Sequence, residues 1–410
     1  MKTKPELKIT DARRDARTVA QYQGGPTATR SVTATVVALL LTGCTAPTHP
    51  SRQEAGKLVA QEPKEAAAIA NGRHERVRTA IEKYMAAKKI TGASVAIAKD
   101  DKLDFAQGFG YADLENDVVY QSETVNRLAS VSKTITAVAV MQLVEAGKID
   151  LDADIRAYVP EFPDKGEQIT ARHILKHTSG IRHYKPDELE NYTRLASVVD
   201  GLRRFTADPL LHKPGEKFTY STYAFSLLAR AVETTSGLTF KDYLDQKVFE
   251  PAGMKASGLE DLRAIVKHRT RGYRRRTDGS VGNSDFSDIS YKWAGGGMVS
   301  TSPDLCRFGI ALLRGKLMAP STLAQMWTVQ KLNDGTALPQ SLGWAVESYN
   351  GKAVAMHGGA QPMSRTFLLI VPSDNLVMAI LTNYESHDPQ EMAIAVRDAW
   401  YEKPSLPAVR

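Results

Sequence analysis

Hydrophobic positions recur along this chain with two different periods, and the change from one to the other divides it. In GASVAIAKDDKLDFAQGFGYAD (residues 92–113) they alternate, with Val95 and Ile97 on one face and a turn at 99–102 between two strand-like runs. From Thr134 the spacing becomes helical, through Ile135, Val138, Met141, Leu143 and Val144, with Gly147 as the stop signal. A helix over HERVRTAIEKYMAAKK, starting near Arg73, precedes the first hairpin. Helix and loop signals dominate from 151 to about 290: ITARHILKHTSGI reads as a helix started by Thr170 and ended by Gly180, and YSTYAFSLLARAVETTSG as one ended by Gly237. Strands then return. LGWAVESYNGKAVAMHGG is a hairpin turning at Asn350-Gly351, RTFLLIVPSDNLVMAILTN a second turning at 372–375, and PQEMAIAVRDAWY a closing helix. Strands at both ends with helices between predict an α/β chain of the α+β kind: one antiparallel sheet built by both ends, flanked by helices, with an all-helical domain inserted.

The beginning of the chain follows neither period. Residues 32–41 are a ten-residue apolar run preceded by Arg30, too short to span a bilayer but suited to a secretory leader. Leu41-Thr42-Gly43-Cys44 follows with the form of a bacterial lipobox, in which the cysteine is acylated and becomes the first mature residue. A plain cleaved leader and a short buried segment are the alternatives. The expected organisation is a signal peptide over 1–43, a lipidated tether over 44–72, one domain over 73–401 and a tail over 402–410. Within the domain the sheet part is 73–150 and 290–401, and the helical part 151–289. The expected location is a bacterial cell envelope, with the anchored domain facing the periplasm or the exterior.

Charge and cysteine content alter this little. The formal charge is +7, but residues 1–43 hold seven Lys/Arg against three Asp/Glu, which leaves +3 for the rest and no basis for a nucleic-acid partner. With Cys44 lipidated, Cys306 has no partner and reads as a buried structural thiol. The basic run at 263–276 reads as a solvated loop, with anionic lipid or glycan as the alternative contact. His173 and His177 stand four apart, without the HExxH pattern or a cysteine partner that a zinc site would bring, and no metal or other cofactor is expected.

Ser130 and Lys133 carry the candidate chemistry, one turn apart where the helical period starts. Ser130 is the only serine followed three residues later by lysine. A serine hydroxyl needs a neighbouring base, and lysine serves only when neutral, which at pH 7 costs about 4.6 kcal/mol for an unperturbed amine. A helix N-terminus and a dry pocket both lower that cost. A bare S-x-x-K also describes a capping serine with an exposed lysine, so other segments must complete the site. Tyr220-Ser221-Thr222 follows the Pro214-Gly215 turn and offers a phenol able to relay a proton. His357-Gly358-Gly359 ends the Asn-Gly hairpin, where an edge strand could join the Ser130 N–H in facing a developing oxyanion. Tyr120-Gln121-Ser122 and Tyr384-Glu385-Ser386 share the bare tyrosine pattern, but chain order favours Tyr220. No G-x-S-x-G is present, which disfavours an α/β-hydrolase.

SVSK, then YST, then HGG, in this order, resembles the class C β-lactamase and penicillin-binding-protein-like serine hydrolases, and most of all their animal mitochondrial branch. The likeness covers about 73–401 and includes HILKHTSGI, KPGEKFTYST and SYKWAGGGMVST. It implies a β-lactamase-like fold and an acyl-enzyme mechanism without metal. It casts Ser130 as nucleophile, Lys133 as base, Tyr220 as proton relay and the backbone of Ser130 and Ala360 as oxyanion hole, with Thr222, His357, Gly358, Gly359 and Ala360 binding substrate. Thr222 stands where the family usually has Asn or Ser, and His357-Gly358-Gly359 where true β-lactamases usually carry Lys-Thr-Gly or Lys-Ser-Gly. Histidine, unperturbed at about 6.5, would lose its charge between pH 6 and 8, and with it a hold on a substrate carboxylate. The expected function is lipid-anchored hydrolysis of an ester or amide, peptide-like or cell-wall-derived, with weak β-lactamase activity at most. A membrane-tethered penicillin-binding or scaffold protein with little turnover is the alternative.

Overall fold

A computed structural model describes residues 52–188 and 191–402; the leader and Cys44 lie outside the described residues. The chain divides into two units, Met1–Ala70 and Asn71–Arg410, and the described part of the first is the opening of a long helix, Arg52–Lys88. This helix starts before the expected position near Arg73. The segment read as an irregular tether is rich in Ala, Glu, Gln and Lys, and such helix formers act without any hydrophobic period. Among the described residues no helix is long and apolar enough to cross a membrane.

The first third supplies β1 (Gly92–Lys99), β2 (Lys102–Asp113) and β3 (Val118–Val119). Short strands follow: β4 (Asn126–Arg127), β5 (Gly258–Leu259), β6 (Tyr273–Arg275), β7 (Val281–Asn283) and β8 (Met298–Ser300). The last third supplies β9 (Ala345–Tyr349), β10 (Lys352–Gln361), β11 (Ser364–Val371) and β12 (Leu376–Thr382). The large sheet runs β3-β2-β1-β12-β11-β10-β9, all antiparallel, so the two ends of the chain meet at β1 against β12 with Val95 opposite Ile380. Both expected hairpins form. Asn350 and Gly351 have φ of 50° and 77°, the left-handed pair that a tight two-residue turn between right-twisted strands needs.

Both faces of this sheet are covered, and the period of two sorts its residues between them. Val95 and Ile97 join Val77, Ile81, Met392 and Val396 from the first and last helices, while Ala96 and Ala98 face Ile135, Val138 and Phe308. The helix Ser132–Glu145 lies within this second layer and is buried on nearly every side, polar Ser132, Lys133, Thr134 and Thr136 included. Cys306 packs there too, and burial pushes its thiol up to about 12, consistent with an inert structural cysteine.

The middle of the chain, expected to be all helical, instead carries short helices joined by loops, with β5, β6 and β7 among them. Ala224–Ser236 ends at Gly237 (φ 75°) as its sequence indicates. Thr170 caps the next expected helix by accepting from the His173 N–H at 3.1 Å, but that helix closes at Leu175, well before Gly180, because His177 turns left-handed (φ 58°). The end of the basic run forms β6, which pairs with β7, and two of its arginines are held in ion pairs: Arg271 with Asp113 and Glu115, and Arg274 with Asp285.

Candidate active site

Ser130 sits in a 3₁₀ turn, Ala129–Val131, that leads into the central helix. The turn is held from two sides. Behind it β4 pairs with β8, and the Leu128 N–H donates to the Met298 carbonyl at 2.8 Å. In front, Ser364 and Thr366 of β11 donate their hydroxyls to the carbonyls of Arg127 and Leu128 at 2.6 and 2.7 Å. Ala129 is left-handed (φ 48°), a strained state for a side chain with a Cβ, and this network holds it there. Strand β10 lies directly against the turn. A Cβ on Gly359 would stand 2.2 Å from Thr366 Oγ1 and 2.5 Å from the Leu128 carbonyl, so only glycine fits.

Lys133 is fully buried, and its Nζ lies 3.1 Å from Ser130 Oγ, 3.0 Å from Thr222 Oγ1 and 2.5 Å from the Gly295 carbonyl. Among the described residues it forms no ion pair. Burial holds its amine well below the usual lysine value, and the nearby Lys292 ammonium adds to the shift. A neutral amine matches these three neighbours. Its two N–H groups donate to Gly295 and Thr222, and its lone pair is left for the Ser130 hydroxyl proton. The dry pocket thus does most of what the sequence suggested for it; the second cause is another lysine rather than the helix end.

The Tyr220 hydroxyl donates to Ser130 Oγ at 2.8 Å. Its ring stacks on His177 at 4.3 Å and meets His183 edge-on at 5.5 Å. Both imidazoles are anchored on the tyrosine's own segment: Ser221 N–H donates to His177 Nδ1 and Thr222 N–H to His183 Nδ1, each at 3.2 Å. The spacing weighed as a metal site therefore serves otherwise, because the helix ends before His177 and turns that side chain toward Tyr220. The other two tyrosine candidates lie elsewhere, Tyr120 bonded to Asn126 and Tyr384 buried against the terminal helices.

Two expected substrate residues are placed differently. Thr222 is 3% exposed and spends its hydroxyl on Lys133, so it holds the amine instead of facing the open site. His357 is 7% exposed, its Nδ1–H donates to the Gly358 carbonyl at 2.6 Å, and its Nε2 has no partner. Burial, with Lys133 close by, pulls its imidazole down to about 4. His357 is accordingly neutral throughout the neutral range, and the expected loss of charge between pH 6 and 8 is overturned: spacing placed the histidine on the right strand but carried no information about its desolvation. Beyond Met356 no described strand pairs with the outer edge of β10, so alternate backbone N–H groups from His357 to Gln361, the stretch that holds Gly358, Gly359 and Ala360, have no strand partner there.

Sequence reading missed Tyr184, His183 and Lys292. The first two follow HTSGI without a spacing rule that would single them out. Lys292 lies inside SYKWAGGGMVST, a segment quoted above for its likeness and not for its lysine. It is 3% exposed, with its Nζ 5.0 Å from the Tyr184 ring centre and 5.4 Å from that of Tyr291.

A sheet closed by strands from the first and last thirds of the chain, a mixed insertion between them, and a serine held between a buried lysine and a tyrosine define a β-lactamase-like serine hydrolase fold. The chain belongs to the beta-lactamase family, whose model matches residues 77–399, and is a serine hydrolase of that family. It is 30% identical over 378 residues to the human mitochondrial serine beta-lactamase-like protein LACTB, covering 69% of each chain. It is 25% identical over 320 residues to penicillin-binding protein 4* of Bacillus subtilis, covering 73% of this chain and 70% of that one. Among solved structures, the octameric penicillin-binding protein homologue from Pyrococcus abyssi superposes with a TM-score of 0.70 at 24% identity, over 79% of this chain and 76% of that one.

Proposed function

We propose that this protein is a lipid-anchored hydrolase that cleaves an ester or amide through an acyl-enzyme on Ser130. The observation that carries the reading is Lys133 Nζ: buried, without an ion pair among the described residues, and 3.1 Å from Ser130 Oγ. As Oγ attacks the substrate carbonyl carbon, its proton passes to the Lys133 lone pair. The N–H groups of Ser130 and Ala360 take up the charge that develops on the carbonyl oxygen. Tyr220 gives its phenolic proton to the leaving group, and the Lys133 ammonium, which took the proton of Ser130, returns one to the phenolate. Water then attacks the acyl-enzyme by the same route in reverse, releasing the acid and free Ser130.

The substrate is peptide-like or cell-wall-derived, a reading supported by the likeness to a penicillin-binding protein. β-Lactamase activity is weak at most, because β10 offers the neutral His357 where a fixed cation would hold a β-lactam carboxylate. The anchor is Cys44, on the strength of LTGC directly after the apolar run, and the domain faces the periplasm or cell exterior of a bacterial envelope. Stable anchoring takes more than one acyl chain.

Covalent labelling by a fluorophosphonate tests the chemistry. Ser130→Ala should lose all labelling with a nearly unchanged thermal midpoint, whereas equal labelling of the variant would move the nucleophile elsewhere. Cys44→Ser should release the protein from the membrane fraction; wild-type protein that fractionates as soluble, with no lipid mass, would remove the anchor from the proposal.

A further inference from the structure

Two lysines are buried side by side in this site, and only one has a part in the chemistry above. Lys292 Nζ makes no hydrogen bond or ion pair with a described residue; it lies over the faces of Tyr184 and Tyr291. Three connections tie it to Lys133. It immediately precedes the turn Trp293–Gly296, whose Gly295 carbonyl accepts from Lys133 Nζ at 2.5 Å. A Cβ on Gly296 would stand 3.7 Å from Lys292 Cδ and 3.7 Å from the Ala129 carbonyl, so the lysine stem and the residue before Ser130 flank the same glycine. Finally, Thr222, which accepts from Lys133 at 3.0 Å, lies beside Tyr184, whose ring covers Lys292.

A buried pocket of this kind does not hold two ammonium groups near each other, and the surroundings decide which lysine is charged. Lys292 has two tyrosine faces and the Glu260 carboxylate, which is paired with Arg127 at 2.8 Å. Lys133 has the rings of Tyr220 and Phe225, the imidazoles of His177, His183 and His357, and no carboxylate. We propose that Lys292 is a positioning residue of the Ser130 site: it carries the pocket's one proton and so keeps Lys133 Nζ free to accept the proton of Ser130. Burial sets Lys292 at about 7, with Arg127 lowering it and Glu260 raising it, while burial and the Lys292 charge together hold Lys133 lower than its usual value. A proton held on Lys292, beside the Glu260 carboxylate and the two tyrosine faces, thus opposes protonation of Lys133.

This inference rests on the Ser130–Lys133 reading, and one series separates the two. The second-order labelling rate with an uncharged fluorophosphonate is followed from pH 5 to 10 in wild type, Lys292→Met and Lys292→Arg. Without the cation Lys133 is easier to protonate, so Lys292→Met should move the acid limb of the profile upward and lower the rate at pH 6 on the order of tenfold more than at pH 9, the effect of one pKa unit. Lys292→Arg, which keeps a charge, should hold the limb near its wild-type position. The thermal midpoint of Lys292→Met should not fall, because a buried cation is being replaced by a packed thioether. If Lys292→Met does not fold, Lys292→Gln takes its place in the same profile. An unmoved acid limb, or equal losses with Met and Arg at every pH, would overturn the role of Lys292. Undiminished labelling of Ser130→Ala would instead overturn the reading on which it rests.

Discussion

The two sides of this site use burial in opposite ways. On the side of the central helix the reacting atoms are matched: Lys133 Nζ has three neighbours within 3.1 Å, and Ser130 Oγ lies between it and the Tyr220 hydroxyl. On the β10 side the polar atoms are not, since His357 Nε2 and both polar atoms of the Gln361 amide are buried without partners. Desolvation lowers the affinity for a proton on both sides. For Lys133 that exposes the lone pair the chemistry requires; for His357 it removes the charge with which a β-lactamase-like strand would hold a carboxylate. One physical cause thus underlies both the proposed acyl transfer and, on the facing strand, the proposed weakness toward β-lactams.

The sharpest way to break the helix side is Lys133→Met. Labelling should fall on the order of a thousandfold, the typical contribution of a general base. Stability should report the same lysine with its own sign. A buried base binds fewer protons folded than unfolded, so it costs stability at neutral pH, and that cost disappears as the pH rises toward the unfolded value of about 10.4. The difference in stability between wild type and Lys133→Met should therefore shift in favour of the wild type between pH 7 and 10; a difference independent of pH would mean that the lysine is charged in the native state.

Gly359→Ala acts where the two sides touch. The new methyl group would meet Thr366 Oγ1 and the Leu128 carbonyl, and a forced shift of that kind typically costs about 1–3 kcal/mol. Denaturant unfolding should show this loss, and labelling should drop with it because the Ser130 turn moves. A variant as stable as wild type would mean that β10 does not brace the turn.

The smallest effect is expected on the β10 side alone. With His357 near 4, the ratio of kcat/KM for a carboxylate-bearing β-lactam to that for a neutral ester should be flat from pH 6 to 8. Taking the ratio cancels the shared ionisation of Lys133. His357→Lys should raise it throughout this range, whereas a wild-type ratio that falls with rising pH would mean that the imidazole is charged after all.

The parts of the molecule that sequence alone determined are those set by local rules. Alternation at Val95 and Ile97 sorts side chains between the faces of a sheet, Asn350-Gly351 imposes a left-handed turn, Gly237 stops a helix, and S-x-x-K places two side chains one turn apart. Each acts within a few residues, so each was legible without the fold, as was the order of SVSK, YST and HGG. What only the tertiary structure decided is electrostatic and depends on neighbours remote in the chain. The loss of charge on His357 comes from burial beneath elements from several parts of the chain. Thr222 and the Gly295 carbonyl converge on the Lys133 amine, and Lys292 meets Lys133 across 159 positions of sequence because both pack around the same short turn. Proton affinity follows from how much water and which charges surround a group, and spacing along the chain specifies neither.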